Sequence, residues 1–339
     1  MSQNESIGFS WPLLRQWALT LSIGATGGYL FSRLHLPLAW MMGALWVTLP
    51  LTILGVPLGI PRRLRETMMS VLGFLVGSGF TPDLFAFLPL WSISLTGLLL
   101  NAILLTFVVQ FYLRRATSFS RVTAMFAAFP GGLTQSVFIG EVYGADPRAI
   151  AIVHSTRILI VATVIPTAFQ LVSGFGGAPL QRVITPVTWE ALMLLGLCSV
   201  VGLWMGKRLR LPMPYMLGPM LISAAIHLAG LTEARSPTLL INAAQVVMGC
   251  AIGTRFLGTP FRSLLRPMVA AAGSTVMMLV VCAGTAFGVS LLTGLPFPSL
   301  LLAFAPGGLP EMTVIAVSLG SDLALVSSHH IIRVLLVAF

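Results

Sequence analysis

A Pro-Gly-Gly break followed by an arginine set in apolar sequence occurs twice in this 339-residue chain. The first copy runs Phe129-Pro130-Gly131-Gly132-Leu133-Thr134-Gln135, then Asp146 and His154-Ser155-Thr156-Arg157. The second runs Ala305-Pro306-Gly307-Gly308-Leu309-Pro310-Glu311, then Asp322 and His330-Ile331-Ile332-Arg333. Each matched pair lies 176 positions apart. Leu34–Gly43 matches Leu209–Gly218 at an offset of 175, and Gly73-x-x-x-Gly77 matches Gly249-x-x-x-Gly253 at 176. Spacing kept to one residue over half a chain marks a duplication. The boundaries are a first repeat over 1–172, a linker over 173–188 and a second repeat over 189–339.

The breaks interrupt long apolar runs, and Leu88–Leu113 and Pro267–Leu292 each exceed the roughly 20 residues that cross a bilayer. Charged residues are 8% of the chain, far below the roughly 25% of soluble domains. The reading is an all-α polytopic membrane protein. Its net charge of +10 does not argue for nucleic acid, because the basic residues sit in short clusters between apolar runs and no loop could hold a reading domain. Cys198, Cys250 and Cys282 stand singly in apolar sequence and read as core residues. Met1–Ser10 lacks the basic region and cleavage site of a signal peptide, so the first apolar run is expected to stay as a membrane helix.

Each copy holds six apolar segments, at about 13–32, 38–56, 67–81, 88–113, 121–141 and 149–172, then 189–206, 213–230, 239–256, 267–292, 299–319 and 324–339. If all six crossed, the copies would be parallel, and nine basic residues would lie inside against eight outside, which is no bias. If five cross, the second copy is inverted. Fourteen basic residues then lie inside and three (Arg33, Arg182, Arg235) outside, with Arg157 and Arg333 in the membrane. The positive-inside rule selects the inverted arrangement, with both termini cytoplasmic. Inverted repeats around a midplane site are a common plan of secondary transporters.

The fifth segment is the one that fails to cross, because proline removes a helix donor and glycine allows a reversal. The expected architecture is therefore about 10 transmembrane helices plus two re-entrant or broken Pro-Gly-Gly helices. A hairpin entering at Ser120 and leaving near Glu141 turns at Pro130–Gly132, about 15 Å deep. The next helix starts at Asp146-Pro147, a cap followed by proline at the first helical position. Arg157 then lies about 16 Å further on, also at mid-depth, with His154 one turn earlier on the same face. Pro306–Gly308 and Arg333 reach that depth from the opposite side.

The candidate substrate-binding residues are Pro130, Gly131, Gly132, Gln135 and Arg157, with Pro306, Gly307, Gly308, Glu311 and Arg333. A mid-bilayer arginine needs a partner or ligand. It either recognises a carboxylate or phosphate through its planar fork, or ties down free hairpin carbonyls or pairs with Glu311. His154, His330 and Glu311 are candidates for coupling to H⁺ or Na⁺, the histidines alternatively being bonded to backbone. His329 has Val153 as its counterpart and carries less weight. Asp146 and Asp322 read as helix caps, and the Gly-x-x-x-Gly pairs as close helix contacts. No spacing suits a metal or cofactor.

The paired Pro-Gly-Gly-Leu breaks, the Leu-x-Leu-Pro…Gly segments and the duplication resemble the AbrB family of bacterial membrane proteins. The resemblance rests on Pro130, Gly131, Gly132, His154 and Arg157 and on Pro306, Gly307, Gly308, His330 and Arg333. It implies an inner-membrane protein whose relatives carry labels such as ammonia monooxygenase or regulator. An oxygenase would need a ligand cluster or nucleotide fingerprint, and a direct regulator a soluble DNA-binding module; the sequence has neither. The expectation is a secondary transporter of a small anionic solute, not an enzyme, with the lipid bilayer as surroundings and oligomerisation open. A membrane sensor that affects gene expression without transport is the alternative, and an oxygenase-like enzyme stands third.

Overall fold

The computed structural model describes residues 11–82, 87–173, 185–258 and 261–338. The polar N-terminus, Arg182 and most of the 173–188 linker lie outside the described residues. Within them the chain is helical throughout. The first half gives α1 (Trp11–Arg33), α2 (Ala39–Ile53), α3 (Arg62–Gly77), α4 (Leu88–Ala116), α5 (Arg121–Ala128), α6 (Leu133–Val142) and α7 (Pro147–Ser173). The second gives α8 (Trp189–Arg208), α9 (Pro214–Leu228), α10 (Thr238–Gly253), α11 (Phe261–Thr293), α12 (Phe297–Phe304), α13 (Leu309–Ser318) and α14 (Leu323–Ala338). The starts of α5, α6 and α7 recur in α12, α13 and α14 at the offset of 176 read from the sequence.

Five helical stretches, Pro89–Ala116, Pro147–Val172, Trp189–Arg208, Thr238–Phe256 and Leu265–Thr293, are long and apolar enough to cross a membrane. The chain is thus an all-helical polytopic membrane protein. The 15-residue α2 and α9 rise only about 22 Å each, less than a bilayer core. Basic residues close several helices, Arg114 and Arg115 on α4 and Lys207 and Arg208 on α8, where cations also suit the helix dipole. One boundary differs from the apolar pattern: α3 starts at Arg62, five residues before the apolar run. Arg62 is held by Glu66 at 2.7 Å, an i,i+4 pair that carries the helix beyond its buried half.

Small residues set how the helices meet. Gly73 of α3 lies against the Met216 carbonyl of α9, and Gly77 against Met220. Gly249 of α10 lies against the Met41 carbonyl of α2, and Gly253 against Leu45. In both pairs the numbers rise together, so each pair runs in the same direction. The contact is an exchange between halves, α3 onto α9 and α10 onto α2. Gly27 meets Gly43 backbone to backbone, and Gly202 meets Gly218, which clamps α1 on α2 and α8 on α9. The chain before α2 and α9 repeats a strained turn: His35 and Leu38 have φ of 53° and 48°, and Arg210 and Met213 have 53° and 55°. Non-glycine residues rarely adopt this left-handed backbone, and here it recurs at the 175 offset.

The Pro-Gly-Gly segments are hairpins. The Phe126 ring of α5 stacks on Tyr143 just past α6, with centroids 6.1 Å apart. Thr123 near the start of α5 accepts the Asp146 amide at 3.0 Å. In the second copy Ser299 accepts the Asp322 amide at 3.1 Å. Each segment therefore leaves at the end it entered, which excludes a broken helix running straight through. Both aspartates cap as expected: Asp146 Oδ1 accepts the amides of Arg148 at 2.9 Å and Ala149 at 3.2 Å, and Asp322 Oδ1 that of Leu325 at 3.0 Å. Asp146→Ala is expected to lower unfolding stability by about 1 kcal/mol. Thermal unfolding in detergent checks this, and a loss several times larger would make Asp146 more than a cap.

Candidate functional site

Each hairpin tip exposes carbonyls that no helix satisfies, and the arginine of the following helix binds them. Arg157 of α7 donates from Nη1 to the Phe129 carbonyl at 3.0 Å and from Nη2 to that of Gly131 at 3.5 Å. Arg333 of α14 donates from Nη1 to the Ala305 carbonyl at 2.7 Å and from Nη2 to that of Gly307 at 2.8 Å. The acceptors, like the arginines, are 176 apart. The histidine one turn earlier completes each clamp. His154 Nδ1 receives Arg157 Nη2 at 2.9 Å, and its Nε2 meets the Phe126 carbonyl at 3.0 Å. His330 does the same between Arg333 and the Leu302 carbonyl, which is 2.9 Å from its Nε2.

That geometry assigns the tautomer. A guanidinium can only donate, so Nδ1 accepts, and the ring proton must be on Nε2, facing a carbonyl. Both histidines are fully buried, with both ring nitrogens used. They orient the arginines, which matches the backbone-bonding alternative better than a proton shuttle. His329, which lacks a counterpart, instead faces Ser94 of α4 at 2.8 Å.

Both arginines are buried, and among the described residues neither has a carboxylate within ion-pair distance. Glu311 is not the partner of Arg333: its nearest cation is Arg255, at 3.9 Å. Arg255 follows α10, where the first copy has Gly79, and it was not among the candidate site residues read from the sequence. Its side chain is only 23% exposed, and its Nη1 is buried without a partner. Glu311 and its counterpart Gln135 occupy the first turns of α13 and α6 and fold back over Gly308 and Gly132, where a Cβ would collide with them. A side chain at either glycine would have to push that flexible side-chain tip aside. A carboxylate in a first turn also suits the positive end of the helix dipole.

The two tips differ in their surroundings. Pro130 of the first hairpin and Arg333 of the second half line one cavity of about 260 Å³ between α4 and α14. Arg157 is off this cavity, with its Nη1 4.0 Å from the sulfur of Met278 on α11 and its Nε buried without a partner. Asn101 on α4 is a site residue that the sequence reading missed. Its Nδ2 lies 3.4 Å from the Phe304 carbonyl, and its Oδ1 accepts from Thr285 at 2.9 Å. A lone asparagine midway along an apolar 29-residue helix was the signal.

The family model described as "Transition state regulatory protein AbrB" matches residues 40–339. The chain is 30% identical over 327 residues to "Putative regulator AbrB" of Escherichia coli (strain K12), covering 95% of this chain and 92% of that protein. It is 27% identical over 352 residues to "Uncharacterized protein YhjN" of Bacillus subtilis (strain 168), covering 94% of this chain and 89% of that protein.

Proposed function

This chain belongs to the AbrB family, and we propose that it is a secondary transporter of a small anionic solute across the bacterial inner membrane. The observation that carries the reading is a buried guanidinium at each re-entrant tip without a carboxylate in range among the described residues. Uncompensated positive charge at mid-depth is costly unless an anion visits it. Re-entrant backbone at that depth is the usual way transporters present helix ends to a substrate.

In this reading the halves are inverted repeats of five crossings and one hairpin each, with both termini cytoplasmic. The packing directions support it. The counterparts α4 and α11 run oppositely, since Gly97 meets Val289 while Tyr112 meets Gly273. The parallel pairs α3–α9 and α2–α10 fit the same inversion, because α2 and α3 are successive crossings. Arg333 contacts the anion, and the hairpin amides beside Pro130 and Pro306 complete the cradle. Glu311 carries the coupling H⁺ or Na⁺, held against Arg255. The protein acts as a carrier rather than an enzyme.

The test is uptake of radiolabelled monocarboxylates, dicarboxylates and inorganic phosphate into sealed vesicles under an imposed H⁺ or Na⁺ gradient. Saturable, gradient-driven uptake is expected, and Glu311→Gln should reduce it at least tenfold. Glutamine is accommodated there, because Gln135 occupies the matching place. Saturable binding with no flux for any of these anions would sink the transporter and favour the second reading, a membrane sensor of the same anion. The printed names of the family and of the Escherichia coli relative, both regulators, speak for that second reading.

A further inference from the structure

The cavity that holds Arg333 opens beside the exposed apolar face of α4, a helix long and apolar enough to cross a membrane, and this constrains the ligand. Its α4 wall runs from Leu98 to Phe107, the middle third of a 29-residue helix. The outer rim on that wall, Leu99, Ile103 and Phe107, is 43%, 55% and 69% exposed, on an apolar helix face that meets lipid. Apart from Arg333 and Thr106 the lining is apolar, and it includes no carboxylate. The Thr106 hydroxyl is already given to the Ala102 carbonyl at 2.8 Å.

Arg333 reaches this space with one donor unspent. Its Nη groups serve Phe304, Ala305, Gly307 and His330, which accounts for four of the five guanidinium hydrogens. The Nε–H has no hydrogen-bond partner among the described residues, and unlike that of Arg157 it is not fully buried. A hydrophilic anion would have to cross apolar side chains to arrive. An anion with an apolar tail would leave the tail where it already prefers to be.

We propose that the ligand of this site is an amphiphilic anion, a carboxylate on an alkyl chain, entering sideways from the bilayer between α4 and α14. The carboxylate meets Arg333, and the chain lies along α4. Residues 98 to 107 rise about 14 Å, which accommodates an extended chain of roughly ten carbons. This rests on the anion site proposed above and names its ligand class; it holds whether the ligand is moved or only bound.

The probe is decanoate with a terminal diazirine, photolysed with the protein in lipid nanodiscs, with labelled residues located by peptide mass spectrometry. Label is expected on α4 between residues 99 and 107 and on α14. Unlabelled decanoate should displace it at least tenfold better than decanol, acetate or inorganic phosphate. Ala102→Trp, which fills the cavity without touching the Arg333 clamp, should reduce labelling at least tenfold. Leu99→Trp at the exposed rim should do the same if the first variant fails to fold. Equal displacement by decanol would overturn anion recognition itself. Equal displacement by acetate or phosphate would overturn the amphiphile while leaving a small-anion site intact. Label spread equally over the exposed face of α8 at Val200 and Trp204 would reduce the result to bulk lipid and overturn the proposal. So would dimers cross-linked through the α4 face, since a second copy would then cover the cavity.

Discussion

Arg157→Ala should lower the unfolding temperature of the purified protein about as much as Arg333→Ala, although only Arg333 lines the cavity. The two guanidiniums hold equivalent backbone: Phe129 and Gly131 in one hairpin, Ala305 and Gly307 in the other. Removing either breaks its bonds to two carbonyls and a histidine nitrogen in an apolar interior, at about 1.5–3 kcal/mol for each charge-assisted bond. Relief from burying the charge returns about 2.5 kcal/mol. The expected net loss is about 2–6.5 kcal/mol for each variant. Lysine should recover less than half of it, because an ammonium lacks the planar fork that spans two carbonyls and a ring nitrogen. Thermal unfolding in detergent decides the matter. If Arg157→Ala melted at the wild-type temperature, the clamp would be incidental. If stability fell equally for both arginines while decanoate labelling depended on Arg333 alone, the structural and ligand-binding roles would separate cleanly.

The same comparison shows why some of this protein could be read from its sequence and some could not. The hairpins were legible because proline breaks the helix ladder and glycine frees the backbone to reverse locally, and because duplication supplied a second instance of each. The aspartate caps were legible for the same reason. The choice between the arginine's two roles was not. Whether a guanidinium turns to its own hairpin or to open space depends on the curvature of a loop whose torsions no residue pattern encodes.

Arg255 shows a different limit. In sequence it belongs to a short basic run with Arg262 and Arg266, yet it packs beside Glu311. Comparing the copies would have flagged it, since Gly79 and Arg255 are matched positions of opposite character. Asn101 was similarly visible as an isolated polar residue, but its partner Phe304 is 203 residues away, and only the fold brings them together. The lateral cavity was not legible at all, because it forms between α4, the first hairpin and α14, and no single segment carries its shape.

Glycine substitution gives the other large effect, and its pattern matters more than its size. In Gly73→Leu the new side chain would meet the Met216 carbonyl, and in Gly249→Leu the Met41 carbonyl with the Ala44 methyl 2.9 Å away. A backbone carbonyl cannot rotate aside as a flexible side chain can, so the helices must separate. Separation of α3 from α9 would also break the bonds from Ser223 to the Phe74 carbonyl at 2.8 Å and from Ser70 to the Tyr215 carbonyl at 2.9 Å. Overpacking at about 1–3 kcal/mol plus two bonds of about 1 kcal/mol each gives an expected loss of about 3–5 kcal/mol for Gly73→Leu. Gly249→Leu should cost about 1–3 kcal/mol, from overpacking alone, since those two bonds belong to α3 and α9. Gly196 on α8 and Gly284 on α11 have nothing within 4 Å of where a Cβ would stand. Leucine there should be neutral or stabilising by up to about 1 kcal/mol, because glycine weakens a helix interior. Unfolding temperatures of the four variants test the exchange of helices between the halves directly. Equal tolerance at all four positions would mean that α3 and α9 do not meet through Gly73, and the shared directions of those helices, on which the inverted arrangement leans, would fall with it.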